Sequence, residues 1–132
     1  MVSQENVEIV QRMMETWRSD PEAAFDYLHP EVEYDTTLRA DGRLWHGREG
    51  VRRALIEWMG AWNDWTIEVE SYLDVGDDRV AFLWQERGTA KGSGIATSQK
   101  GITVVTLRDG IVVSMLVHLD SGRVLADLGL EE

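Results

Sequence analysis

Residues 98–120 of the chain read SQKGITVVTLRDGIVVSMLVHLD. Polar and apolar side chains alternate with a period near two through 98–108, and a nearly continuous apolar run begins at Ile111. Both patterns are typical of β-strands. The dipeptide Asp109-Gly110 separates them and favours the tight turn of a hairpin. The stretch therefore predicts two long antiparallel strands, at 98–108 and 111–120.

The segments upstream of this hairpin divide into strands and helices by their period. Strands are predicted at 66–75 and 79–89, with Gly76-Asp77-Asp78 and the glycine-rich turn 91–94 between neighbours. Before residue 65 the apolar period is three to four, which predicts helices. The predicted helices are 3–18, 21–28 and 48–62, the predicted short strand is 32–36, and a brief extended piece lies near Leu44. Residues 123–128 are interpreted as a short terminal helix or turn.

The resulting order is α-α-β-α-β-β-β-β, with the helices early and the long strands late. This order favours an α+β fold over a parallel α/β fold. We expect a cone-shaped, curved antiparallel sheet wrapped around the N-terminal helices and enclosing a pocket. At 132 residues, the chain 1–132 is predicted to be one domain.

The charge and composition narrow the classes of partner. The formal net charge is −11, which disfavours nucleic acid and anionic membrane surfaces as partners. There is no cysteine, and the three histidines, His29, His46 and His118, are widely spaced, so no metal site and no cofactor are predicted. No secretory signal and no apolar run near 20 residues are seen, and a cytoplasmic location is expected.

Five segments of the chain, taken in order, resemble the SnoaL-like branch of the nuclear transport factor 2-like superfamily. Members of that superfamily include polyketide cyclases, ketosteroid isomerases and limonene-epoxide hydrolase. The resemblance implies the cone fold but not a particular reaction, because this fold occurs in enzymes, binding modules and oligomerisation domains alike. The segments are SQENVEIVQRMMETW, FDYLHPEVEYD, WHGREGVRRALIEW, LRDGIVVSMLVHLD and RVLADLGL.

The resemblance also implies candidate catalytic residues. Asp35 in VEYD occupies the position similar to the general base of ketosteroid isomerase. Thr103 stands where that enzyme has a protonated Asp, so steroid isomerase activity is not expected. In polyketide cyclases an acidic base lies near the end of the last long strand, where this chain has His118 and Asp120. Which face of that strand looks into the cone does not follow from the sequence.

Aromatic residues are the candidate walls of the pocket. The chain has six tryptophans, and large rings suit both a core and a ligand pocket. A carboxyl group such as Asp35, buried among them, would have a raised pKa and become a usable base near neutral pH. Tyr34 adjoins Asp35, and neighbours on a strand point to opposite faces, so both should not line one wall. The candidate wall residues are Trp17, Tyr34, Trp58, Trp62 and Trp84, with Thr103 and Asp120 beside them.

Three functions stay open at this stage. The first is binding of a small, largely apolar molecule with cofactor-free proton-transfer chemistry of isomerase, cyclase or hydratase type, with Asp35 as base and His118 as donor. The second is a non-catalytic ligand-binding module. The third is a scaffold that forms a C2 homodimer through its sheet face. The candidate contact residues for that face are Val69, Phe82, Val104 and Met115.

Overall fold

The computed structural model describes residues 2–38 and 42–119, together with residue 126. The helices are α1 (Val2–Ser19), α2 (Pro21–Ala24) and α3 (Gly47–Gly60), and one 3₁₀ turn, Phe25–Tyr27, follows α2. The strands are β1 (Leu28–Leu38), β2 (Leu44–His46), β3 (Trp62–Gly76), β4 (Arg79–Ala90), β5 (Ala96–Arg108) and β6 (Ile111–His118).

The strands form one curved, unclosed sheet in the order β2-β1-β6-β5-β4-β3. This confirms the predicted α+β fold, with the sheet curved around the helices. The strands β3 to β6 form an antiparallel meander, as predicted. The pairing of β1 with β6 is parallel, so the sheet is mixed. Since these two strands lie far apart in the chain, no hairpin fixes their relative direction.

Several element boundaries differ from the sequence prediction: the helix predicted at 21–28 ends at Ala24, and β5 begins at Ala96. Two further differences have identifiable reasons. β1 begins at Leu28, which pairs with Val112, and a register shift before Glu33 accommodates Pro30. Proline has no N–H to donate, so irregular positions of this kind are where a strand tolerates it. α3 ends at Gly60 instead of continuing to residue 62, because glycine is a poor helix former. Trp62 consequently opens β3 opposite Ala90.

Local hydrogen bonds tie the short helix α2 and the start of β1 to their surroundings. The Asp20 side chain accepts a hydrogen bond from the Ala23 N–H at 3.3 Å, and proline follows at the first helical position. Asp20 is therefore the N-cap of α2, and proline is favoured at the position that follows it. Arg48 in α3 donates through Nε and Nη2 to the Leu28 carbonyl oxygen, at 2.8 and 2.6 Å. The first contact is local to α2, and the second connects α3 to the start of β1.

The two faces of the sheet carry separate apolar clusters. On β4 the alternate residues Phe82 and Trp84 point toward the helices and join the main core. Ala81 lies between inward positions and faces the other way, where it packs with Ile102 and Val104 in a second cluster. We call these the inner and outer faces. The inner face is the one that, together with the helices, encloses space.

The assignment of faces corrects the expected dimer contacts. Val69, Phe82 and Met115 belong to the inner core, so they cannot form an outer contact surface. Only Val104 of the expected set lies in the outer cluster. The pattern of alternation placed these residues on shared faces but did not say which face was concave.

Some predictions concern the C-terminal part of the chain. Asp120 and the terminal helix predicted at 123–128 lie outside the described residues, apart from residue 126. None of the helices in the described ranges is long and apolar enough to cross a bilayer. The expected cytoplasmic location and the single domain 1–132 stay predictions.

Candidate functional site

A cavity of about 120 Å³ lies between the inner face of the sheet and the helices. Its floor is formed by buried residues of the sheet, among them Phe82 and Trp84. Its rim is formed by partly exposed side chains from α1, α3 and β3, so the cavity opens between these three elements. The rim residues are Met14, Trp17, Leu55, Trp58, Trp65 and Ile67.

Helical spacing brings the side chains of α1 and α3 to the cavity. Met13 and Met14 lie four and three residues before Trp17 on α1, so both share a face of that helix with the Trp17 ring. Leu55 and Trp58 do the same on α3. Between these methionine, leucine and tryptophan side chains and the sheet a space stays open, whereas protein interiors are normally close-packed. The helical part of the wall is therefore wholly apolar.

An ion-pair cluster fixes the helix ends above the cavity. Arg52 on α3 contacts the carboxylates of Glu22 on α2 and Glu49 on its own helix. Its guanidinium also lies 4.5 Å from the ring centre of Phe25, which lines the cavity. The hydrogen bonds that Arg52 donates to Glu22 and Glu49 raise the pKa of its guanidinium. These contacts connect α2 to α3 and hold Phe25 in the wall.

The strands contribute the polar groups of the cavity. Thr103 on β5 is buried and its hydroxyl oxygen accepts a hydrogen bond from Trp84 Nε1 at 2.9 Å. Tyr34 on β1 is buried and also lines the cavity. Behind the wall, Tyr72 packs against Phe82 with ring centres 6.0 Å apart, and burial raises the pKa of the Tyr72 hydroxyl. Tyr72 therefore stays protonated at neutral pH.

Glu86 is the carboxylate that lines the cavity within the described residues. Its side chain is on β4, two residues beyond Trp84, and the residue is only 4% exposed. Oε1 accepts hydrogen bonds from Trp58 Nε1 at 2.9 Å and from Trp65 Nε1 at 2.7 Å. Oε2 accepts a hydrogen bond from Gln99 Nε2. Three neutral N–H donors thus hold a buried carboxylate at the rim.

Five of the predicted wall residues do line the cavity: Trp17, Tyr34, Trp58, Trp84 and Thr103. Trp62 does not. It lies in a narrow cleft beside the cavity, between Trp65 and Gly88, with its ring centre 5.7 Å from that of Trp58. Its buried Nε1–H has no hydrogen-bond partner among the described residues. Trp62 therefore packs against Trp58 of the rim without lining the cavity.

Asp35 and His118 lie away from the cavity, which corrects their expected place in it. Asp35 pairs with Leu116 across β1 and β6, and Leu116 packs against the outer cluster. The Asp35 carboxylate accepts hydrogen bonds from the Thr37 N–H at 2.9 Å and the Thr37 hydroxyl at 2.5 Å. His118 pairs with Ile102 of the outer cluster. The alternation of β1 points Tyr34 inward, which resolves the conflict between these two neighbours.

The sequence interpretation missed Glu86 and Trp65. The alternation that placed Trp84 on an inner position also places Glu86 there, two residues later. A glutamate at the end of an apolar strand face is usually exposed, and this hid its role. A usable signal was the presence of tryptophans on two neighbouring elements, whose N–H groups need acceptors when buried.

Comparison with known proteins agrees with this architecture. An NTF2-like protein of unknown function from Burkholderia pseudomallei shares the fold with a TM-score of 0.75 and 19% identity, over 92% of this chain and 95% of that one. TerC co-crystallised with polyporic acid has a TM-score of 0.74 and 19% identity, over 94% of this chain and 97% of TerC. A protein with a ketosteroid isomerase-like fold from Catenulispora acidiphila, in complex with trimethylamine, has a TM-score of 0.72 and 20% identity, over 93% of each chain. No curated protein matches significantly in sequence. The sequence profile of the SnoaL-like domain matches residues 10–115, and the chain therefore belongs to the SnoaL-like family.

Proposed function

We propose that the cavity binds a small, largely apolar molecule about the size of one six-membered ring. The observation that carries this proposal is the open volume of about 120 Å³ among apolar and aromatic side chains. An apolar cavity of ~150 Å³ in a protein core holds benzene, so the size is appropriate. Interiors are normally close-packed, so an open space lined by apolar and aromatic side chains supports a ligand site.

The similar folds support binding of small molecules as a role for this architecture. TerC was crystallised with polyporic acid, and the protein from Catenulispora acidiphila with trimethylamine. At 20% identity or below, these cases support the proposal only through the shared fold. The chemistry of the ligand has to be argued from the side chains of this chain.

A cavity-filling variant tests the proposal. Leu55 lines the rim and Ile56, its neighbour on α3, is 61% exposed. Toluene is expected to bind the wild-type protein with a dissociation constant on the order of 0.1–1 mM, since a seven-atom apolar ligand contributes about 4–5.5 kcal/mol. Replacing Leu55 with Phe should weaken binding at least about 10-fold by occupying the space, which calorimetric titration would measure.

Ile56→Phe is the matched control, because it adds the same ring on the exposed side of the same helix. Toluene should bind this variant as it binds the wild type. Absence of toluene binding to the wild-type protein, or equal binding by Leu55→Phe, would contradict the proposed ligand site.

A catalytic use of the same cavity is the second candidate, and the position of Glu86 favours it. Its Oε2 accepts one hydrogen bond and retains a lone pair, so it can accept a proton from a ligand beside it. Thr103 pairs with Phe82, four residues before Glu86 on β4, which is about 13 Å by strand rise. The backbone positions of these two polar residues are therefore well separated along the cavity. Glu86 replaces Asp35 in this proposal as the base of a cofactor-free proton transfer.

We also propose that a second copy of the chain covers the outer face. The buried outer residues Ala81, Ile102 and Val104 are surrounded by partly exposed Leu73, Val75, Leu83 and Leu116. The described helices pack on the inner face and leave this apolar surface uncovered. Light scattering at micromolar concentration should give the mass of a C2 dimer. Leu83→Glu should give a monomer, and a monomeric wild-type protein would contradict the pairing.

A further inference from the structure

The buried carboxylate of Glu86 bears on the charge of the ligand, which the apolar walls of the cavity alone do not determine. The carboxylate is 4% exposed, and its partners are two indole N–H groups and one amide N–H. Among the described residues it makes no ion pair with a Lys, Arg or His side chain. Burial of an ionised carboxylate without a cation is unfavourable, and neutral donors offset only part of that cost. A positive charge brought by a ligand would offset more of it.

The walls near Glu86 favour such a charge. Four of the six tryptophans line the cavity: Trp17, Trp58, Trp65 and Trp84. Trp58 and Trp65 also donate hydrogen bonds to Glu86. The face of an indole ring carries negative electrostatic potential and attracts cations, most strongly where water is excluded. The net charge of −11 also attracts cations to the protein from solution.

The surroundings further restrict the type of cation. A metal ion or a primary ammonium needs several oxygen ligands or acceptors, and the described wall offers Glu86 as its single carboxylate. A tertiary or quaternary ammonium spreads its charge over methyl groups and requires few hydrogen bonds, so it suits apolar and aromatic walls. We propose that the cavity selects small organic ammonium ions, with the cationic head beside Glu86 and the apolar part against the tryptophans. This inference rests on the proposed function of the cavity as a ligand site.

Two probes of equal shape isolate the charge. Choline and 3,3-dimethylbutan-1-ol differ by a quaternary nitrogen in place of a quaternary carbon. The wild-type protein is expected to bind choline at least about 10-fold more tightly than the alcohol. The indole N–H resonances of Trp58 and Trp65, assigned with Trp→Phe variants, should shift during the NMR titration that measures both affinities.

Variants of matched charge assign the effect to Glu86. Glu86→Gln keeps the shape and removes the charge, so the preference for choline should disappear. Asp35→Asn changes the net charge by the same amount on the outer face and should leave the preference unchanged. If Glu86→Gln does not fold, Glu86→Asp keeps the carboxylate and should keep the preference.

The outcomes separate this inference from the proposed function. Binding of toluene or the alcohol without a preference for choline would overturn the cation proposal and leave the apolar site intact. A preference that persists in Glu86→Gln, or that Asp35→Asn also removes, would overturn it as well. Failure of toluene and both probes to bind the wild-type protein would overturn both proposals.

Discussion

Replacing Gly101 with alanine is expected to lower the free energy of unfolding by about 3 kcal/mol. Gly101 lies directly opposite Trp84 in the pairing of β4 with β5. A Cβ atom at this position would stand 2.4 Å from Cζ2 of Trp84 and 2.7 Å from the His118 carbonyl oxygen. Both distances are far inside van der Waals contact, and the carbonyl belongs to the neighbouring strand. The Trp84 ring and the strand must both move, and the cavity wall moves with them.

Chemical denaturation of Gly101→Ala and of a matched glycine variant would measure this effect. Gly92 lies in a turn, and no heavy atom lies within 4 Å of the place that its Cβ atom would take, so Gly92→Ala should stay within about 0.5 kcal/mol of the wild type. Trp84→Phe removes the ring atoms that clash, so it should cost less in the Gly101→Ala background than alone. Equal stability of Gly101→Ala and Gly92→Ala would show that Trp84 does not pack on Gly101.

The second large effect concerns the catalytic candidate. Cyclohexanone has about the size of toluene, and its α-hydrogens exchange with solvent deuterium when a base removes them. The wild-type protein is expected to accelerate this exchange, and Glu86→Gln to reduce the accelerated rate at least about 100-fold, because a positioned general base contributes about 10²–10⁴-fold. Glutamine keeps the size and one acceptor oxygen for the indoles but cannot take the proton. NMR in deuterated buffer follows the loss of the α-hydrogen signal.

Asp35 provides the competing assignment in the same assay. Its carboxylate is held by Thr37 on the outer side of β1, so Asp35→Asn should retain the wild-type rate. The opposite result, with loss in Asp35→Asn and retention in Glu86→Gln, would restore Asp35 as the base. Absence of any acceleration by the wild-type protein would exclude this proton-transfer chemistry for a ketone of that size and favour a binding role.

The strand pattern of the C-terminal half was predictable because side chains alternate with a period of two whatever the curvature. The concave side was not predictable. On β6 the inward residues Met115 and Val117 and the outward residue Leu116 are all apolar, so hydropathy does not distinguish the faces. Asp35 and His118 were expected inside because of the resemblance to ketosteroid isomerases and polyketide cyclases. Their positions follow from cross-strand pairing with Ile102 and Leu116, which is a property of the assembled sheet.

The sequence did not reveal Glu86 as a residue of the site, because its hydrogen-bond partners are distant along the chain. Its indole partners lie 28 and 21 residues away in the sequence, on α3 and β3. These donors meet at one carboxylate only when the sheet and helices have assembled. Without them a glutamate is expected to be exposed, because a buried carboxylate needs hydrogen-bond partners. The tryptophans themselves were predicted as wall residues from their size alone, and Trp17, Trp58 and Trp84 do line the cavity. Trp62 was not separable from them because the helical period continues past Gly60.

The proposed function requires that the space between Trp84, Phe25 and the rim tryptophans is open and receives an apolar guest. A crystal structure of the protein soaked in toluene would show whether this space takes up a ligand. We predict electron density for one ring inside the cavity, in contact with Trp84 and close to Glu86. An interior filled by the protein's own side chains, with toluene absent or bound only at the outer face, would contradict it.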